Sequence, residues 1–253
     1  MSDVRLIPLG VGEAFTARNY TTCLALGLDD DWLLIECPHP IRKMLREASL
    51  ATGVPLDLER VRGVALSHLH ADHCSGLEDY GYYSYFALGR RAMLAVHPLI
   101  EAHLWDGLLA GGMGEVRLQG NPAPVRKQID DFFDILPLST ADAVAMGPFS
   151  IECRPTQHSI PTTAFRVTVG GRMVAYSADT IFDLTLIDWL AAADLIVHEA
   201  SDDDGSPVHT PYTRLAELPA PLRARMRLIH YSDAFDLAAS VIAPLTQGHC
   251  YTL

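Results

Sequence analysis

Residues 68 to 73 read His68-Leu69-His70-Ala71-Asp72-His73, which puts three imidazoles and one carboxylate within six positions. Imidazole nitrogen and carboxylate oxygen are both ligands that zinc accepts, and a site free of thiolates keeps coordination positions open to water. Open positions are what metal-assisted hydrolysis requires. Without a metal, four such side chains crowded at one strand end would leave donors and acceptors competing for few partners. Cys74 follows directly, but the cluster has donors enough without it, and buried free cysteine is common.

The elements around the cluster must hold it in place. The apolar run Val61-Arg62-Gly63-Val64-Ala65-Leu66-Ser67 reads as a buried strand that delivers the histidines at its mouth. A two-metal centre needs about six or seven donors, so ligands must also come from elsewhere in the chain. Three candidates stand where further apolar strands end. His158 follows Ile151 to Pro155, Asp179 follows Arg172 to Ser177, and His230 closes Met226 to His230. The isolated histidines His39, His97, His103 and His249 read as surface or satisfied core residues.

Strands are predicted at Val4 to Leu9, Thr22 to Leu28 and Trp32 to Glu36, followed by an amphipathic helix from Pro40 to Ala51. Gly76 to Gly89 carries Tyr80, Tyr82, Tyr83, Tyr85 and Phe86, either core packing or a wall beside the site. A strand at Ala92 to Val96 and a helix from Pro98 to Leu109 lead into Ala110-Gly111-Gly112-Met113-Gly114, a turn or a candidate lid. Ala164 to Val169 and Arg172 to Ser177 form a hairpin about Gly170-Gly171. A helix over Ile181 to Ala192, a strand over Asp194 to His198 and a helix over Tyr212 to Leu218 precede the last strand. This order fits a layered α/β sandwich better than a bundle or barrel.

The chain has 253 residues, 49% apolar and 20% charged, as expected for a single enzyme domain spanning residues 1 to 253. No apolar run approaches the roughly 18 to 20 residues that span a bilayer. The opening residues Met1 to Pro8 lack the basic flank and apolar stretch of a secretion signal, so a cytoplasmic location is expected. The five cysteines include no Cys-x-x-Cys pair and read as reduced. A net charge of −12 argues against a long polyanion as partner. The one basic candidate, Arg223, Arg225 and Arg227, reads as a solvated strand edge.

Taken together, His68-x-His70-x-Asp72-His73, His158, Ser177-Ala178-Asp179-Thr180 and His230 resemble the ligand set of the metallo-β-lactamase superfamily, in order and over almost the whole chain. The resemblance implies a four-layer αβ/βα sandwich and two zinc ions, with manganese or iron as alternatives. His68, His70 and His158 would hold one ion, Asp72, His73 and His230 the other, and Asp179 would bridge them. Leu9-Gly10-Val11-Gly12, His158-Ser159-Ile160-Pro161, Val197-His198-Glu199-Ala200, His209-Thr210 and His230-Tyr231-Ser232 resemble segments of the ribonuclease Z branch and its smaller phosphodiesterase relatives. Two departures stand out. Only twenty residues separate His158 from Asp179, which leaves no room for the arm that grips transfer RNA, and Glu36-Cys37-Pro38 stands where that branch has Asp-Cys-Gly.

The reading that follows is a dinuclear metal-dependent phosphodiesterase. Its substrate would be a small molecule, a cyclic phosphate or nucleotide derivative. Asp72 would orient or deprotonate the attacking water, the role the resemblance assigns to it. His198, with Glu199 behind it to fix its tautomer, is the first candidate to protonate the leaving group, and His209 is the second. Hydrolysis of a lactone or thioester at the same metals is the alternative. Transfer-RNA 3′ processing and a non-catalytic binding role rank below it. A homodimer is expected by analogy alone.

Overall fold

The computed structural model describes residues 3–253; Met1 and Ser2, part of the opening segment read as leaderless, lie outside it. Strands β1 (Val4–Gly10), β2 (Cys23–Leu28), β3 (Asp31–Ile35), β4 (Val61–Leu66) and β5 (Ala92–Val96) come first. A short hairpin of β6 (Glu115–Val116) and β7 (Val125–Arg126) precedes β8 (Phe133–Pro137). Strands β9 (Val144–Met146), β10 (Phe149–Pro155), β11 (Thr163–Val169), β12 (Arg172–Tyr176), β13 (Leu195–Glu199), β14 (Met226–Ile229) and β15 (Tyr251–Thr252) follow.

Two sheets carry the architecture, one ordered β15-β1-β2-β3-β4-β5-β8 and the other β14-β13-β12-β11-β10-β9. In the first, β3, β4, β5 and β8 run parallel; in the second, β12, β13 and β14 do. Apart from the edge strand β8, the parallel strands are largely buried on both faces, and their alternation separates two cores. Leu24, Leu26, Leu33 and Ile35 face the second sheet, whereas Cys23, Ala25, Trp32 and Leu34 face the helix Ile41–Thr52 and its neighbours. The second sheet carries the helices Leu184–Leu190 and Tyr212–Ala216 against its own core. Helices therefore cover the outer faces of two packed sheets, the expected αβ/βα sandwich.

Several expectations shift in detail. The helix expected over Ile181 to Ala192 occupies only Leu184–Leu190, because its first residues turn away from Asp179 and Asp183 caps it by accepting from the Thr185 amide. The glycine segment after Leu109 is no open loop: Ala110–Met113 is helical, and Gly112 accepts a hydrogen bond from the Tyr82 hydroxyl at 2.7 Å. The aromatic segment packs into the helix layer, with Tyr80 buried and the Tyr82 and Tyr85 rings on Phe132. The three arginines are not one strand face. Arg223 bonds the Leu218 carbonyl, Arg225 those of Ala191 and Ala193, and Arg227 those of Ala224 and Met226. Among the described residues no helix is long and apolar enough to cross a membrane.

Candidate metal centre

The residues of interest sit on loops at one edge of the sandwich, after β4 in the first sheet and after β10, β12 and β14 in the second. The His68 to His73 segment leaves β4 and enters the short helix Ala71–Cys74. From the other sheet, β10 delivers His158, β12 delivers Asp179 and β14 delivers His230. Glu36, Ala178 and His230 all adopt left-handed backbone, with φ of 70°, 50° and 56°. Residues bearing a Cβ rarely occupy that region, and such strain concentrates where side chains must be aimed.

Two groups of ligand atoms form around Asp179. In the first, His70 Nδ1 lies 3.1 Å from His68 Nε2 and 3.0 Å from His158 Nε2. Asp179 Oδ2 lies 3.7 Å from His68 Nε2 and 3.8 Å from His158 Nε2. In the second, Asp72 Oδ2 lies 3.1 Å from His73 Nε2 and 3.2 Å from His230 Nε2. Asp179 reaches this group too, with Oδ1 at 3.5 Å from His73 and Oδ2 at 3.6 Å from His230. Ligands about 2.0 to 2.1 Å from a tetrahedral cation stand ~3.4 Å apart, so a shift of a few tenths of an ångström would admit one in each group.

The far ring nitrogens test that fit, because a ligating imidazole gives its other N–H to an acceptor. In the first group each has one: Ser67 Oγ for His68 at 2.8 Å, Ser159 Oγ for His70 at 3.4 Å and the Val208 carbonyl for His158 at 3.0 Å. Behind His73 lies Glu36 Oε1 at 3.5 Å, and behind His230 lies Glu199 Oε2 at 3.9 Å. His73 Nε2 and Asp179 Oδ1 are buried, aimed inward and without a hydrogen-bond partner. The donor set therefore fits a pair of cations.

The electrostatics sort in the same way. Burial pushes His68, His70 and His158 below their ordinary values, keeping lone pairs free in the first group. Burial also opposes charge on His230, but the Asp179 carboxylate and a bond to Asp72 outweigh it and raise the imidazole to about 9. Asp72 stays well below the carboxylate range because bonds from His230 and His73 overcome its desolvation.

Residues 4–246 match the family described as Anti-Pycsar protein Apyc1. The chain belongs to that family. Among relatives of that name, one from Bacillus phage 010DV004 is 30% identical over 265 residues, covering 99% of this chain and 98% of its own. One from Saccharibacillus brassicae is 29% identical over 229 residues, covering 89% and 88%. Among solved structures, the metallo-beta-lactamase fold protein YhfI from Bacillus subtilis superposes with a TM-score of 0.74 at 19% identity, over 99% of both chains. The fold is thus the metallo-β-lactamase sandwich, and the family that matches is Apyc1.

In this Apyc1-family chain the three remaining candidates separate. His198 is buried within β13, its Nδ1 2.8 Å from the Glu199 carbonyl, and burial lowers it to about 4. It joins none of the groups around Asp179. Glu199 does not stand behind His198, because successive strand residues face opposite sides of a sheet. Instead Glu199 Oε1 accepts the Thr180 amide at 2.5 Å and Oε2 lies 3.0 Å from His209 Nδ1. His209 also lies 3.9 Å from Asp179 Oδ2 and keeps 28% side-chain exposure. Burial opposes its charge, but the bond to Glu199 overrides that and raises it. The placement of Glu36, Ser67 and Ser159 behind the imidazoles has no local sequence signature, and neither has the left-handed turn that aims Glu36. A cleft of about 310 Å³, lined by Leu69, Leu99, Ile100, His103, Ile160 and Pro161, opens beside the ligand segments.

Proposed function

We propose that this chain is a dinuclear metal-dependent phosphodiesterase acting on a small phosphodiester, a cyclic phosphate or nucleotide derivative. The observation that carries the reading is the convergence of His68, His70, His158, Asp72, His73 and His230 on Asp179, with the partly exposed His209 at the margin. Cations held there would supply Lewis acidity and lower the pKa of water from 15.7 toward ~7.

The chain's own groups do the rest. Asp72, ionised and 10% exposed, accepts the proton of the attacking water at the oxygen turned away from His73 and His230. The bond from Nδ1–H to Glu199 keeps His209 protonated on both nitrogens, so that Nε2–H donates to a phosphate oxygen or passes its proton to the leaving alkoxide. His198 takes no part in the reaction. The mostly apolar cleft suits the uncharged part of a small substrate, and the net charge of −12 disfavours an extended polyanion.

The test is turnover by zinc- or manganese-loaded protein of bis(p-nitrophenyl) phosphate, a cyclic nucleotide, a lactone and a thioester. Cleavage of the first two supports the reading. Lactone or thioester turnover without phosphodiester cleavage replaces it with an acyl hydrolase.

A further inference from the structure

The imidazoles of the first group back onto neutral oxygens, from Ser67, Ser159 and Val208. His73 backs onto a fully buried carboxylate. Glu36 follows β3 in a left-handed conformation, with φ of 70°, which turns its side chain under the cluster. Its amide donates to the Ala65 carbonyl at 3.0 Å, and its Oε2 accepts from the Ser67 amide at 3.3 Å. The other oxygen, Oε1, lies 3.5 Å from His73 Nδ1.

Glu36 Oε1, His73 Nδ1 and the Tyr176 hydroxyl are all buried, and none makes a hydrogen bond among the described residues. Orphaned polar atoms are costly in a native core, so these three call for an explanation. Tyr176 ends β12, three residues before Asp179. Burial, and then the negative charge of Glu36, hold its phenol well above the ordinary value, so the proton stays beside that carboxylate.

The backbone fixes the arrangement further. The Cys37 amide donates to the His73 carbonyl and the Gly76 amide to the Cys37 carbonyl, each at 2.8 Å. A Cβ on Gly76 would come within 2.4 Å of the Pro38 carbonyl oxygen, so only glycine lets the two segments approach this closely.

We propose that Tyr176 and Glu36 are positioning residues for His73: the Tyr176 hydroxyl donates to Glu36, Glu36 accepts the Nδ1 proton of His73, and Nε2 is left bare and aimed at the second cation. A carboxylate behind a ligating imidazole fixes its tautomer and raises its basicity. The inference rests on the reading of the site as dinuclear. It assigns the second position, not the first, to the control of this buried pair.

The test titrates metal-stripped full-length protein with Co²⁺, following the electronic absorption of each equivalent and its competition with a chelator. Glu36→Gln should bind the first equivalent like the parent and the second about ten- to a hundredfold more weakly, with altered absorption bands for that equivalent only. Tyr176→Phe should give a smaller loss, and the double variant no more than Glu36→Gln alone. Parental affinity and spectrum for the second equivalent in Glu36→Gln overturn the proposal. If Glu36→Gln does not fold, the same result in Tyr176→Phe overturns it. A parent chain that takes up fewer than two equivalents overturns it as well. A parent that binds two equivalents but cleaves no phosphodiester overturns the proposed function and leaves the relay standing.

Discussion

Glu199 Oε2 lies 3.0 Å from His209 Nδ1, so a fully buried carboxylate holds the tautomer of a partly exposed imidazole beside Asp179. The same oxygen lies 3.9 Å from His230 Nδ1. One carboxylate thus stands behind both the imidazole proposed to meet substrate and one proposed to hold metal.

Replacing His209 by Ala should leave metal content unchanged and lower kcat on a cyclic nucleotide about 10²-fold or more, the range for losing a general acid. The loss should be smaller on bis(p-nitrophenyl) phosphate, whose leaving group needs no proton. Because the two residues act as a unit, adding Glu199→Gln should cost little more. Equal losses on both substrates, or loss of a metal equivalent, would show that His209 has another role.

Asp72→Asn should keep the first metal and reduce phosphodiester cleavage on the order of 10³-fold, as expected when a proton acceptor is removed from the transition state. Elemental analysis and steady-state kinetics on the same preparation check both halves. Near-parental activity would remove Asp72 from the mechanism.

Metal removal should make stability fall with rising pH on the alkaline side. Asp179 and Asp72 raise His230 to about 9 against the opposing effect of burial, so its protonated form stabilises the stripped fold. That contribution is complete below the unfolded value of ~6.5 and is lost as pH rises through the folded value. Thermal denaturation of chelator-stripped protein should therefore show a lower Tm at pH 9 than at pH 6.5, a drop that metal-loaded protein lacks. A stripped chain whose Tm is unchanged or higher at pH 9 contradicts the assignment.

His198 should matter for acid stability and not for turnover. Burial lowers it to about 4, so the unfolded chain binds a proton there that the folded chain refuses, and stability falls as pH drops from ~6.5 toward 4. The shift corresponds to about 3 kcal/mol. His198→Asn can keep the bond to the Glu199 carbonyl without titrating, so it should flatten part of the acid-side loss measured by urea unfolding. Its kcat should stay within a few-fold of the parent.

Much of the fold was legible because the strands near the site are apolar and end in His or Asp. The run Val61 to Leu66 and the Gly170-Gly171 hairpin stand where periodicity and turn chemistry put them. Edge strands are harder to read: β9 and β15 run three and two residues, and β8, Phe133–Pro137, ends in proline and carries little alternation. At the site, adjacency in sequence suggests that Glu199 backs His198, but the period of two along β13 turns the two side chains to opposite faces and leaves Glu199 beside His209. The Glu36 to His73 approach depends on a positive φ and on packing between distant segments, which no single stretch of sequence records.

The facing side chains come from both sheets, and the chain distances between them are long. His70 and His158 are 88 residues apart, and Asp72 and His230 are 158 apart. A cation bound by such pairs closes large loops across the interior, as a disulfide would, and removes the freedom those loops have in the unfolded chain. With the proposed cations in place, catalytic competence and resistance to unfolding would depend on the same two reversible cross-links, and an environment that withholds the metal would lower both together.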